Sequence, residues 1–152
     1  MIMLNRQQIL RMIPHSGSMC LLDEVLDWDA VSLRCLSRRY RDPDNPMRRE
    51  NGVLGTICGI EIVGQAVAVH CCLLAKSTGE PQQGYLVSLR EVRSRAGRLD
   101  AISGDLVIDA NRLAGDAISA TYQFALSVAG TALLNGRLTV LLQTELEGLG
   151  PK

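Results

Sequence analysis

The chain has 152 residues, 47% of them hydrophobic and 21% charged, which suits one globular domain over residues 1–152 and excludes a disordered chain. Sixteen basic residues balance sixteen acidic ones, so the bulk charge asks for neither nucleic acid nor a membrane surface as partner. Five cysteines, at 20, 35, 58, 71 and 72, lack metal-ligand spacing and read as reduced core thiols, so no metal is expected.

The opening Met-Ile-Met-Leu-Asn-Arg has no charged-then-apolar signal pattern, which points to the cytoplasm. Asn5 caps a short helix with Ile9, Leu10, Met12 and Ile13 on its apolar face, and Pro14 ends it. Gly17 turns the chain, and Met19 to Trp28 reads as a strand. A second strand runs from Val31 to Arg39, and the short Asp29-Ala30 connection makes the two a hairpin. Asp42 to Gly52 is a polar loop with two prolines and a closing glycine, placed where a lid or site wall would be. Arg48 and Arg49 are its candidates for meeting a phosphate, and a solvated loop is the alternative.

Gly59 to Lys76 is apolar almost all round, and a soluble helix of that kind must be wrapped by other structure. Eighteen residues at a rise of 1.5 Å give a helix of about 27 Å. The run sits at the short limit for a membrane span and carries Glu, Gln and His, so no span is expected. Glu61 and Gln65 are four apart and share a face, and Cys58 and Cys72 continue that stripe. His70 points elsewhere. A carboxylate on a buried helix costs several kcal/mol unless it is paired, hydrated or protonated. Glu61 is therefore the leading candidate for chemistry, against the alternative of a structural Glu held at the helix start.

From Gly84 on the pattern is all strand: Gly84 to Arg93, Asp105 to Arg112, Ala117 to Val128, Thr131 to Leu134 and Gly136 to Leu142, with glycines between. An antiparallel sheet with one helix against its concave face is the simplest arrangement.

Order and motifs together resemble the hotdog-fold 3-hydroxyacyl-acyl-carrier-protein dehydratases of the FabZ/FabA kind. Ile13 to Val25 is similar to their proline-histidine opening, Glu61 to Gln65 to the Glu-x-x-x-Gln of their central helix, and Gly84 to Asp109 to their third strand and following turn. The loop from Asp42, the run Cys58-Gly-Ile-Glu and Gln65 to His70 are most similar to the ApeP-like group of aryl polyene biosynthesis. The resemblance implies an α+β hotdog fold, with an antiparallel sheet wrapped around one long helix. It also implies loss of water from a 3-hydroxyacyl thioester carried by acyl carrier protein or coenzyme A, with no cofactor. In that chemistry a histidine removes the α-proton, a helix carboxyl group handles the leaving hydroxyl, and the helix N-terminus polarises the carbonyl. The family site joins two subunits, which implies a homodimer or a heterodimer with a second hotdog chain.

The chain departs from that pattern at the base. Tyr40 stands where the family histidine is expected, and a tyrosine hydroxyl is a poor base at neutral pH. Glu61, Tyr40 and His15 are thus the catalytic candidates, and Gly59, Cys58, Gln65 and Arg48 the substrate-binding ones. Four readings stay open: a working dehydratase, a half-site subunit completed by a partner's histidine, an acyl-carrier or acyl-CoA binding module, and a thioesterase.

Overall fold

The computed structural model describes residues 3–13, 17–75, 83–116 and 118–143. Helix α1 covers Arg6–Leu10, capped as its sequence requires: the Asn5 side chain accepts the Gln8 N–H at 3.0 Å, and the Gln8 side chain accepts the Asn5 N–H at 2.9 Å. Strands β1 (Glu24–Trp28) and β2 (Ser32–Ser37) follow, then helix α2 (Gly59–Leu74). Strands β3 (Gln83–Ser94), β4 (Leu106–Gly115), β5 (Ser119–Val128) and β6 (Thr131–Gln143) complete the chain. Pro14, His15, Lys76, Gly79, Pro81 and Ala117 lie outside the described residues.

The six strands form one antiparallel sheet in the order β1-β2-β4-β5-β6-β3. Strand β3 leaves the helix and crosses to the far edge, beside β6. Helix α2 packs on β2, β3, β4 and β5. Ile62, Val63, Ala66, Val67 and Val69 are at most 1% exposed there. Burying each of the larger ones contributes about 1.5–3 kcal/mol. Thr56–Leu74 is long and apolar enough to cross a membrane, but in this fold it is the core helix.

Three expectations shift. The strand expected from Met19 begins only at Glu24. Residues Gly17–Met19 form a 3-10 turn, and the backbone of the next few residues is taken up by side chains. Arg6 donates to the Cys20, Leu22 and Gly17 carbonyls at 2.7, 3.0 and 2.8 Å. The expected break at Gly136 is absent, and β6 is continuous. A Cβ on Gly136 would come within 3.1 Å of Phe124 and Val92, so this glycine serves a close approach, not a turn. At the third, Ile118 is 60% exposed and precedes the strand expected to contain it, which starts at Ser119.

Candidate active site

Thr56–Cys58 form a 3-10 turn that runs straight into α2. The Gly59 N–H turns back to the Thr56 and Ile57 carbonyls, closing that turn. A Cβ on Gly59 would overlap Leu126 and lie 3.2 Å from Leu134, so the helix start is pressed onto β5 and β6. This places the missing side chain of Gly59 against the sheet. On the other side of the helix, Ile57 is 59% exposed, Cys58, Glu61, Gly64 and Ala68 are half-buried, and a Cβ on Gly64 would meet nothing within 4 Å among the described residues.

Glu61 sits in the first turn of α2, where the helix dipole favours an anion. The Gln65 amide nitrogen donates to Glu61 Oε2 at 3.0 Å and to the Met19 carbonyl at 2.8 Å. The Gln65 Oε1 accepts the Leu21 N–H at 2.9 Å. A carbonyl can only accept and a backbone N–H can only donate, so these two partners fix which end of the amide is which. Gln65 is fully buried, and its amide holds one carboxylate oxygen of Glu61. The shared stripe of Glu61 and Gln65 is a direct hydrogen bond.

Tyr40 is fully buried in the middle of the Arg39–Arg41 turn. Its hydroxyl donates to the Gly104 carbonyl at 2.7 Å, with the Ile102 carbonyl at 3.2 Å. Burial pushes its pKa above the ordinary tyrosine value, the Arg41 guanidinium opposing that rise. Both features make the hydroxyl a donor to backbone. Arg48 likewise faces its own loop: its nitrogens donate to the Asp42, Gly52 and Arg41 carbonyls at 2.9, 2.6 and 2.6 Å. Together with Asn45, which donates to the Tyr40 carbonyl at 3.0 Å, it makes the Asp42 loop a fixed wall. His15 lies outside the described residues.

His70 is fully buried and stands about 13 Å along the helix from Glu61. Its Nε2 lies 2.8 Å from the Asp29 carbonyl and therefore carries the proton. Its Nδ1 then accepts from the Tyr122 hydroxyl at 2.6 Å. Burial holds its pKa below the ordinary histidine value, against the pull of the Asp29 carbonyl.

Two features were not visible in the sequence. Ser37 donates to the Leu21 carbonyl at 2.5 Å and accepts the Tyr40 N–H at 3.2 Å, which joins the Tyr40 turn to the segment that Gln65 grips. Thr56 is 2% exposed and its hydroxyl has no hydrogen-bond partner among the described residues. A cavity of about 230 Å³ lies beside this segment, lined by Arg6, Gly17, Leu21, Arg39, Asp42 and Asn45 among others. No cluster of potential metal ligands occurs among the described residues.

The ApeP-like family model, described as ApeP dehydratase, matches residues 7–149. The chain belongs to the ApeP-like family. Among solved structures, this ApeP-like chain is similar to the dehydratase heterocomplex ApeI:P from Xenorhabdus doucetiae. That match has a TM-score of 0.81 at 26% identity and covers 93% of this chain and 94% of the other. Zebrafish thioesterase superfamily member 2 shares the fold at a TM-score of 0.63 and 17% identity, over 91% and 95% of the two chains. A thioesterase from Haemophilus influenzae does so at 0.60 and 13%, over 90% and 88%. No curated protein matches the chain. The family match and these likenesses make the chain a hotdog-fold member of the ApeP-like dehydratase family.

Proposed function

We propose that this chain is the carboxylate-bearing subunit of a dehydratase that removes water from a 3-hydroxyacyl thioester on acyl carrier protein. The observation that carries the reading is the Glu61–Gln65 hydrogen bond in the first turn of α2, braced by the Met19 carbonyl and the Leu21 N–H. Glu61 hands a proton to the departing 3-hydroxyl as the C–O bond breaks. A base on the far side of the substrate takes the α-proton, and the electron pair forms the double bond. The helix N-terminus faces the charge that develops on the thioester carbonyl.

In this reading the base comes from a second hotdog chain. Tyr40 is a structural anchor whose hydroxyl holds the Ile102–Gly104 turn. His70 is a core residue bonded to Tyr122 and Asp29. His15 remains the one candidate base on this chain. The similarity to a dehydratase heterocomplex supports a partner subunit, and the half-buried side of α2 around Ile57 and Gly64, where a Cβ on Gly64 would meet nothing within 4 Å among the described residues, leaves room for one. The cytoplasm is the expected compartment, in keeping with five free thiols.

The test is appearance of the 2-enoyl absorbance from a 3-hydroxyacyl carrier-protein thioester. It is run with this chain alone, with a histidine-bearing hotdog partner, and with Glu61→Ala and His15→Ala in each setting. Turnover only with the partner, abolished by Glu61→Ala, supports the half-site. Full activity of the lone chain that survives His15→Ala would sink it. Release of free thiol in place of enoyl product would assign hydrolysis, which a lone carboxylate activating water also supports.

A further inference from the structure

The outer face of the β3–β6 edge carries a charge pattern that the sheet by itself disfavours. Arg90 stands directly opposite Arg137 in the strand register, and Arg93 stands opposite Asn135. Arg137 points outward, between the buried Gly136 and Leu138. Arg90, Arg93, Arg95 and Arg137 are all exposed. Like charges facing each other across strands are destabilising. One acid approaches them: Glu91, itself 69% exposed at the side chain, with Oε2 4.0 Å from Arg137 Nε.

The same rows offer no other relief. Arg137 faces Gln123 on β5, which faces Asn111 on β4. Asp109, in the next row, is taken by Arg34 at 2.7 Å. Arg98 is paired with Asp100 and is not part of the strip. Arg90, Arg93 and Arg95 make no ion pair among the described residues.

The strip ends at the candidate site. The Arg95 N–H donates to the Leu133 carbonyl at 2.8 Å, and the Gly97 carbonyl two residues later accepts the Thr56 N–H at 3.3 Å. A partner lying on the arginines is therefore near the Thr56–Cys58 turn that leads into the core helix, at Thr56 five residues before Glu61.

We propose that Arg90, Arg93, Arg95 and Arg137 form the docking surface for an acidic protein, the carrier that delivers the thioester. Only the partner's identity rests on the function proposed above. An acidic protein fits better than nucleic acid because the chain as a whole has zero net charge and a sequence pI near 6.7, whereas nucleic-acid binders are basic overall. The patch is local, ends near the turn that leads into the core helix, and suits steering of one charged partner.

The experiment compares the wild type with the double variant Arg90→Glu/Arg137→Glu, each with the hotdog partner present. Carrier-protein affinity is measured by titration calorimetry over rising salt. Turnover is measured in parallel on the 3-hydroxyacyl carrier-protein thioester and on the same acyl group on pantetheine. The expected result is a loss of carrier affinity of about tenfold or more, a wild-type affinity that falls with salt, and a flatter dependence in the variant. KM for the carrier-borne substrate should rise while turnover of the pantetheine thioester stays unchanged. Unchanged carrier affinity in the variant overturns the proposal, and so does tighter wild-type binding of duplex DNA than of the carrier at equal salt. Arginine-dependent carrier binding without any dehydration would leave this surface standing and remove the elimination reaction instead.

Discussion

The Ser37 hydroxyl donates to the Leu21 carbonyl at 2.5 Å, while the N–H of the same Leu21 is held by Gln65 at 2.9 Å. Leu21 is thereby clamped from both sides. The clamp joins the turn that carries Tyr40 to the helix that carries Glu61, since Ser37 also accepts the Tyr40 N–H and Gln65 also donates to Glu61. The carboxyl group is set by a chain of hydrogen bonds across three separate segments.

Glu61→Gln keeps the volume and removes the proton-transfer group. Dehydration with the partner chain present should fall by roughly 10²-fold or more, the usual scale for a positioned acid or base. Thermal unfolding should move little. An unchanged rate would remove Glu61 from the chemistry.

Gln65→Leu would strip partners from the Leu21 N–H and the Met19 carbonyl, both near a buried side chain. Each group left unpaired costs about 1–3 kcal/mol. Urea denaturation should show a loss on that scale, and dehydration should weaken with it because Glu61 loses its brace.

Thr56→Val should stabilise the chain. The Thr56 hydroxyl is buried without a partner among the described residues, and valine keeps the shape without the unpaired group. A gain of about 1 kcal/mol would raise the melting temperature by roughly 2–4 °C in a chain of this size. A clear loss of stability would mean that the hydroxyl has a partner in the assembled protein.

His70 gives stability a pH dependence of known sign. Burial lowers its pKa in the fold from the ordinary 6.5. Between 6.5 and that lower value the unfolded chain takes up a proton that the folded chain refuses. Its contribution is therefore complete above 6.5 and is lost as pH falls through the window. Urea midpoints for the wild type and His70→Gln should converge as the pH drops across it. A difference that widens would reverse the sign.

Gly59→Ala should destabilise by about 1–3 kcal/mol, because the new methyl overlaps the fully buried Leu126. Far-ultraviolet melting of the variant checks this.

Much of the architecture was legible from local pattern. The all-round apolar run from Gly59, with Glu61 and Gln65 one turn apart, required a wrapped helix with one polar stripe, and the helix, its burial and the Glu61–Gln65 contact follow from a period of 3.6. Asn5, Asp29 and the alternation through Tyr122, Phe124 and Leu126 placed the first helix, the first hairpin and the fifth strand by equally local means. Local pattern did not show where a polar side chain finds its own partners, near or far along the chain. Tyr40 reads as a base by its place before the loop, yet its hydroxyl bonds to Gly104, 64 residues on. Arg48 reads as a phosphate ligand because exposed loop arginines often are, but here it closes its own loop.

The sequence by itself determined the core helix, the carboxylate on it and the succession of strands, because periodicity, caps and turn residues act within a few positions. Only the tertiary structure decided which edge β3 occupies and which residues it faces. The Arg90–Arg137 pairing lies between two register shifts in β3, one between Leu86 and Ser88 and one between Arg90 and Arg93. A one-residue slip would send every side chain to the opposite face, so charge at this edge becomes meaningful only once distant strands have paired.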